Sequence, residues 1–496
     1  VRLHSGHDRP LRPRRAPQAV RPAGEGLSSR PLLLGLLLGY AALLVVAGLW
    51  VARKVRGSAD FFVAGRRLGP GLVFSTLLAA NIGAGSTVGA AGQGYLHGLS
   101  AWWWSGSAAI GCTLLGLVVV PRLHQLAERD GFFTVGDFLE RRYDRGVRGM
   151  IAALLALGSL SILAGQLLAM AWALEVLLGV PRAWGCLACG AVVTAYFSRG
   201  GLMAAAWVNL FELAVLLFGF GLALPFAWRA AGGWAGLSAA APAPGYGDLV
   251  GAGPAWIFGW LVTFVPSFMI SPGLVQKTFG ARTAAAARTA ALANAAALAV
   301  FAFVPALLGM AARATRPALA HHELALPALM ADVLPGAVGA LALAALFAAE
   351  VSTADAVLFM VSTSAARDLY HRFVDPGAAD ARLLRVARLV ALGAGALGTA
   401  VAVLIPSVER ALRTFYGVLT VALLVPLLVG LFSARATAAQ ARRAIVAASA
   451  TTVLALLWWR GTPAASWLPF LVGLAAALAC FAHALLRRLD SGAGSP

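Results

Sequence analysis

Charge is scarce in this chain. Only 12% of its 496 residues are Asp, Glu, Lys or Arg, about half the share in a soluble domain, and the only lysines are Lys54 and Lys277. Cysteine is scarce too: Cys112, Cys186, Cys189 and Cys480 all lie within apolar runs. The stretch "WGCLACG" has C-x-x-C spacing, but no second pair or histidine is close enough in sequence to suggest a zinc site. Small residues buried in a helix interface are the better reading. There is no phosphate-binding P-loop, no metal-protease helix and no serine elbow, so no enzymatic constellation is present. The net charge of +19 is scattered through loops without a basic stripe interleaved with aromatics, which argues against a nucleic-acid partner. The excess of Arg over Lys reads as coding bias.

What the chain has is apolar length. It is 60% hydrophobic with a mean hydropathy of +0.81, and apolar runs recur from residue 31 to residue 486. Most runs match the roughly 20 residues of a spanning helix, and none alternates as a membrane β-strand does. The expected fold class is therefore an all-α polytopic membrane protein with about 13 transmembrane helices. They fall at 31–52, 70–94, 100–120, 148–178, 181–198, 202–228, 255–276, 286–312, 337–366, 383–405, 411–433, 441–459 and 466–486. With the residues before the first span outside, inner loops hold most of the basic residues, among them Arg66, Arg148, Lys277, Arg372 and Arg487. This positive-inside bias predicts a multi-pass protein of the cell membrane with a cytoplasmic C-terminus. Residues 1–30 are polar and Arg-rich and begin with Val1. They lack the apolar core and cleavage site of a signal peptide and are expected to be a disordered extension with a misassigned start.

Two spans are interrupted alike. The second contains "AANIGAGSTVGAAGQGY", with Gly83, Gly85, Gly89, Gly92 and Gly94 around Asn81; the seventh contains "VPSFMISPGLVQK", with Pro266, Pro272 and Gly273. Proline removes a backbone donor and glycine weakens a helix, so both segments are expected to unwind. Interrupted helices at corresponding positions of two halves point to a transporter site. They open two sets of five helices, at 70–228 and 255–433. The expected division is a first helix and cytoplasmic loop at 31–69, a five-helix repeat at 70–228, an extracellular loop at 229–254, an inverted repeat at 255–433, and two further helices with a short tail at 434–496. Ordinary glycine packing between helices is the competing reading.

The ninth span carries "AAEVSTADAVLF" at 348–359. Charged groups at membrane depth are disfavoured by about 2.5–3.5 kcal/mol each and mark function. At about 100° per residue, Ala349, Ser352, Thr353 and Ala356 share one face. Glu350 and Asp355 flank it about 140° apart by the same arithmetic, so they cannot form one paired-carboxylate site. Two hydroxyls among small neighbours could ligate a monovalent cation, with carbonyls supplied by the unwound "AANIG" segment. The bland alternative is that each hydroxyl bonds back to its own helix.

From residue 31 to 433 the sequence resembles the sodium:solute symporters. The resemblance rests on "SADFFVAGRRLGPGLVFSTLLAANIGAGSTVGAAGQGY", "TVGDFLERRY", "YFSRGGLMAAAWVNLFE", "PGLVQKTFGAR" and "AAEVSTADAVLFMVSTSAARDLY". It implies a LeuT-type 5+5 inverted repeat with one helix before and two after, and sodium-driven uptake. Carried onto matching positions, it implies a coupling-sodium site made of the carbonyls of Ala79, Ile82 and Ala349 and the hydroxyls of Ser352 and Thr353. Glu350 and Asp355 would then hold the helix or tune the field, or else make an outward contact to an Arg or a neighbouring helix. Many family members have Thr-Asp and Gln on the helix after "GGL", whereas "WVNLFE" puts Val208, Asn209 and Glu212 there. Glu212, with Asn209, is expected to serve a second cation or proton site.

The substrate site is expected between the two broken helices, lined by Ser86, Thr87, Gln93, Phe264, Phe268 and Met269, with Gln166 in reach. Phe and Met favour a small, partly apolar solute. The expected function is sodium-coupled symport of a small organic solute across the lipid bilayer by alternating access, with Na+ as coupling ion and no other cofactor. Two rivals stand beside it: a proton-coupled or uncoupled carrier on the same fold, and a membrane sensor with a separate signalling partner.

Overall fold

The computed structural model describes residues 66–197, 201–460, 462 and 467–490, with isolated positions at 35, 39, 42 and 46; at 196, 201–207 and 483–490 only the backbone is described. The N-terminal extension lies outside the described residues, as does almost all of the expected first span. The described residues form helices joined by short connections and one isolated β-bridge, Leu68 to Ala281. Among them, nine helices are long and apolar enough to cross a membrane, and the apolar helices Pro70–Asn81, Arg182–Ala195 and Leu468–Ala482 are shorter. Helices suit this composition because lipid offers no partner for an unpaired backbone group.

In chain order the first broken helix is α1 (Pro70–Asn81) and α2 (Ala90–His97). Then follow α3 (Trp102–Leu114), α4 (Val120–Asp130), the short α5 (Val135–Arg142), α6 (Arg145–Leu178), α7 (Arg182–Phe197) and α8 (Gly201–Ala230). A small helix α9 (Gly233–Ala239) lies in the loop before the second broken helix, α10 (Pro254–Ile270) and α11 (Pro272–Phe279). The rest are α12 (Ala284–Phe301), α13 (Phe303–Thr315), the single turn α14 (Ala325–Ala328), α15 (Gly336–Thr363), α16 (Asp380–Leu404), α17 (Val408–Phe432), α18 (Ala438–Trp458) and α19 (Leu468–Asp490).

The breaks are narrower than the sequence suggests. Only Ile82–Ala84 leaves helical order in the first; Ile82 is extended (φ −99°, ψ 93°), and the chain resumes through a π-helical turn at Gly85–Gly89. Gly92 and Gly94 are ordinary helix residues that permit close packing: a Cβ on Gly94 would lie 2.5 Å from the Ala306 carbonyl. The second break is at Ser271 (φ −50°, ψ 115°), because Pro272 disfavours helical geometry in the residue before it. Pro266, expected to take part, instead sits inside α10. Next to it, Ser267 and Thr420 both donate to the Thr263 carbonyl, at 2.6 and 3.2 Å.

Packing between the two sets is reciprocal. The first helix of each set packs on its own fifth: α1 on α8, and α10 on α17. The third of each packs on the fifth of the other: α6 on α17, and α15 on α8. The first broken helix also lies along α12 and α13, as the second lies along α3. This exchange is what an inverted repeat produces. Helices α18 and α19 pack on each other and on the outside of α17. The breaks therefore meet α15 and α6 at the centre of the bundle.

Candidate functional site

The break after Asn81 frees carbonyls that α1 can no longer pair internally, and α15 crosses there with its hydroxyl face. Ser352 Oγ lies 3.0 Å from the Ala79 carbonyl and 3.0 Å from the Ala349 carbonyl. Thr353 Oγ1 lies 3.2 Å from the Ala79 carbonyl and 3.3 Å from that of Ile82. All five groups expected to share a site thus form one connected cluster of neutral oxygens, on residues that are buried. The bland expectation for Ser352, a bond back to its own helix, accounts for one of its two contacts only. Such a cluster suits a hard cation of single charge, because each hydroxyl keeps lone pairs to offer and no carboxylate over-neutralises it.

The second half of the broken helix is pinned by polar side chains. Gln166 on α6 accepts the Ala84 N–H at 2.7 Å. Thr87 donates to the Gly83 carbonyl at 2.9 Å and to Glu350 Oε1 at 2.7 Å. Glu350 is fully buried at the N-terminal end of this half-helix, where a carboxylate is favoured by the exposed amides. Through Thr87 it is hydrogen-bonded to the segment that follows the break. Ser86 turns back to the Asn81 carbonyl at 2.7 Å, and Asn81 reaches Asn294 on α12 at 3.0 Å. Ser86, Thr87 and Gln166, expected beside a substrate, each hydrogen-bond to the backbone around the break.

Asp355, on the opposite flank of α15, is buried, as are Asn209 and Glu212 on α8 and Lys277 on α11. Glu212, Asp355, Lys277 and Asn209 are each at most 1% exposed. Lys277, expected as a loop charge, lies instead inside α11 with its Nζ donating to the Thr76 carbonyl at 2.8 Å. A small cavity of about 50 Å³ lies against Lys277, Asn81, Ser271 and Thr353, next to the oxygen cluster.

On the other side of the breaks the side chains are aromatic. Phe264 stacks on Trp260 (5.3 Å between centroids) and meets Tyr416 edge-on at 4.9 Å, while Trp104 lies 4.4 Å from Trp260. Phe268 joins through Tyr416 at 5.0 Å, whereas Met269 is half-buried and packs on the core. Over this group Gln93 donates to Glu409 at 3.0 Å, Glu409 pairs with Arg413 at 2.8 Å, and the Arg413 guanidinium lies 4.2 Å from the centre of the Trp260 ring. Glu323, buried in the loop before α14, accepts the N–H groups of Val408 and Glu409, both at 3.1 Å, and that of Trp172 at 3.2 Å. Burial pushes its carboxyl above the ordinary carboxylate range despite these bonds.

At the far end of α6, Arg148, also expected in a loop, is buried and pairs with Asp137 (2.7 Å), Glu140 (2.9 Å) and Asp368 (2.7 Å). The sequence reading missed the roles of Trp104, Trp260, Tyr416, Glu409, Arg413, Asn294 and Lys277. An acid or lysine inside an apolar run was the one available signal, and it applied to Lys277.

A family model described as SSF, sodium:solute symporter family, matches residues 61–447. The sodium/glucose cotransporter of Vibrio parahaemolyticus is 26% identical over 454 residues, covering 82% of this chain and 82% of the relative. The sodium/pantothenate symporter of Escherichia coli is 28% identical, covering 82% and 87%. Among solved structures, a substrate-bound, outward-open Na+-coupled sialic acid symporter superposes with a TM-score of 0.77 at 18% identity, over 90% of this chain and 96% of that one. Mhp1, a nucleobase-cation-symport-1 family transporter, follows at 0.58 and 17%, over 87% and 95%. These two likenesses are of fold.

Proposed function

Since this chain belongs to the sodium:solute symporter family, we propose that it imports a small organic solute together with sodium, by alternating access of a LeuT-type 5+5 bundle. The protein is a multi-pass membrane transporter and not an enzyme. Sodium is bound by the carbonyls of Ala79, Ile82 and Ala349 and the hydroxyls of Ser352 and Thr353. The observation that carries this reading is the convergence of those five oxygens across two helices that are far apart in the chain.

The ion acts as a clasp. Ala79 and Ile82 belong to the broken helix and Ser352 and Thr353 to α15, so a bound sodium ties the two elements and its loss lets them part. Solute binds beside the breaks, where Trp104, Trp260, Phe264 and Tyr416 supply apolar faces and Gln93, Glu409 and Arg413 supply polar groups. This lining supports a solute with an apolar face and a polar end. On the span order read from the sequence, the loops of one side carry most of the basic residues, which supports a cell-membrane orientation with that side and the C-terminus in the cytoplasm. The repeats run from 70 to 228 and from 255 to 433 on this reading.

Uptake of radiolabelled glucose, pantothenate, choline and sialic acid into proteoliposomes, with and without a sodium gradient, tests the function. Ser352→Ala and Thr353→Ala should each raise the sodium concentration for half-maximal uptake by roughly tenfold, the effect of losing one ligand to a charged group. Uptake indifferent to sodium, or to both substitutions, would overturn the assignment.

A further inference from the structure

A cavity of about 620 Å³ lies away from the breaks, walled by α6, α17, α18 and α19, and none of the five proposed sodium ligands lines it. Along α17 its lining runs from Ser407 to Val421. The charged residues, Glu409, Arg410 and Arg413, all fall in the first two turns, and Val418 and Val421 follow. The other helices add mostly apolar side chains, among them Leu154, Leu456 and Phe470. Val453 and Leu456, one turn apart on α18, line the cavity and are 56% and 40% exposed. On a spanning helix that exposure meets lipid, so the cavity opens onto the bilayer. Its charged end is positive. Glu409 is already engaged on both oxygens, by Arg413 at 2.8 Å and by Gln93 at 3.0 Å. Arg410 is exposed, and among the described residues no carboxylate pairs with it.

We propose that this cavity binds one anionic phospholipid, with its phosphate on Arg410 and one acyl chain laid along Val418 and Val421. A guanidinium presents a planar fork of donors that matches phosphate oxygens. From Arg410 to Val421 the helix rises about 16 Å at 1.5 Å per residue, and half of a hydrocarbon core of roughly 30 Å is about that depth. An acyl chain of one leaflet therefore spans the cavity from its charged end to its apolar end. A water-soluble anion would meet Arg410 and leave the apolar walls uncovered. A zwitterionic lipid would bring its own cation towards Arg410 and Arg413, and that repulsion selects a head group of net negative charge. Glu409 and Arg413 line this cavity and also reach Gln93 and Trp260. The lipid thus braces the end of α17 that borders the proposed solute site, and by binding the folded protein it stabilises it.

Titration of the purified full-length protein in detergent with phosphatidylglycerol, with phosphatidylcholine of the same chains, or with glycerol 3-phosphate tests the inference, read by native mass spectrometry and by the thermal midpoint. One phosphatidylglycerol per chain should stay bound above the phosphatidylcholine background and raise the midpoint, whereas glycerol 3-phosphate should leave the midpoint unchanged. Arg410→Gln should bind phosphatidylglycerol about tenfold more weakly, the loss expected of a hydrogen bond to a charged group. Val453→Trp, which fills the opening and alters no charge, should weaken that binding by a similar factor. Both positions are exposed, so neither substitution removes a core contact. Equal retention of the two lipids, or phosphatidylglycerol binding unchanged in either variant, would overturn the site. A midpoint raised as much by glycerol 3-phosphate as by phosphatidylglycerol would make it a site for free phosphate esters and overturn the lipid reading.

Discussion

A methyl group on Gly83 would lie 2.4 Å from the Thr353 hydroxyl and 2.6 Å from the Gln166 carbonyl oxygen, closer than non-bonded atoms sit. Gly83→Ala must therefore push the break away from α15 or rotate Thr353 out of the oxygen cluster. The expected result is at least a tenfold weaker sodium affinity, about 1.4 kcal/mol, in protein that still elutes as a single species. An unchanged ²²Na+ affinity would show that the close approach has no part in ion binding. The residue scale also shows where sequence reasoning stops. Ser352 and Thr353 were legible because two hydroxyls on one helix face are a local pattern. Glu350 was not, because a helical wheel places it on a flank without saying what it meets. Its partner Thr87 is 263 positions away in the chain.

Elements are held by groups from other elements. The first N–H groups of any helix lack an internal partner, and at α17 they are taken by Glu323 from a distant loop. Glu323→Ala leaves the Val408 and Glu409 amides without that acceptor, and should destabilise the protein by about 1–3 kcal/mol, read as a lower thermal midpoint. The pH dependence has a definite sign. Burial raises the Glu323 carboxyl above its ordinary value of 4.5, so folding favours the protonated form. Its contribution is greatest below that value and declines as the pH rises through the shifted pKa; Glu323→Gln should abolish the decline. A midpoint whose pH profile is identical in both proteins would contradict this. At this scale Pro272 was readable, since its effect on Ser271 is a matter of neighbouring atoms. Pro266 was misread, because α10 continues through it, and neighbouring helices can sustain a helix around a proline at membrane depth.

At the scale of the whole molecule, the reciprocal packing of the two five-helix sets places both breaks at the centre. One side bears the contacts of Gln93, Glu409 and Arg413 over Trp260, and the other bears the buried network of Arg148, Asp137, Glu140 and Asp368. Sodium moved together with a neutral solute makes each cycle carry net charge, at least one elementary charge inward. An inside-negative potential of about 100 mV contributes about 2.3 kcal/mol for each charge. That should raise the accumulation of a neutral solute up to roughly 50-fold per charge, measured with a potassium-diffusion potential in proteoliposomes. Accumulation insensitive to potential would exclude net charge movement. The sequence by itself determined the membrane class, the two interruptions and the hydroxyl face of α15. All of these follow from hydrophobic length, proline stereochemistry and helical periodicity, which act within a few turns of chain. Tertiary structure alone decided that Lys277 is buried, that Glu350 meets Thr87 beyond the break, and that five oxygens from two helices meet. Each depends on which helices cross, and that is set by packing across the whole bundle.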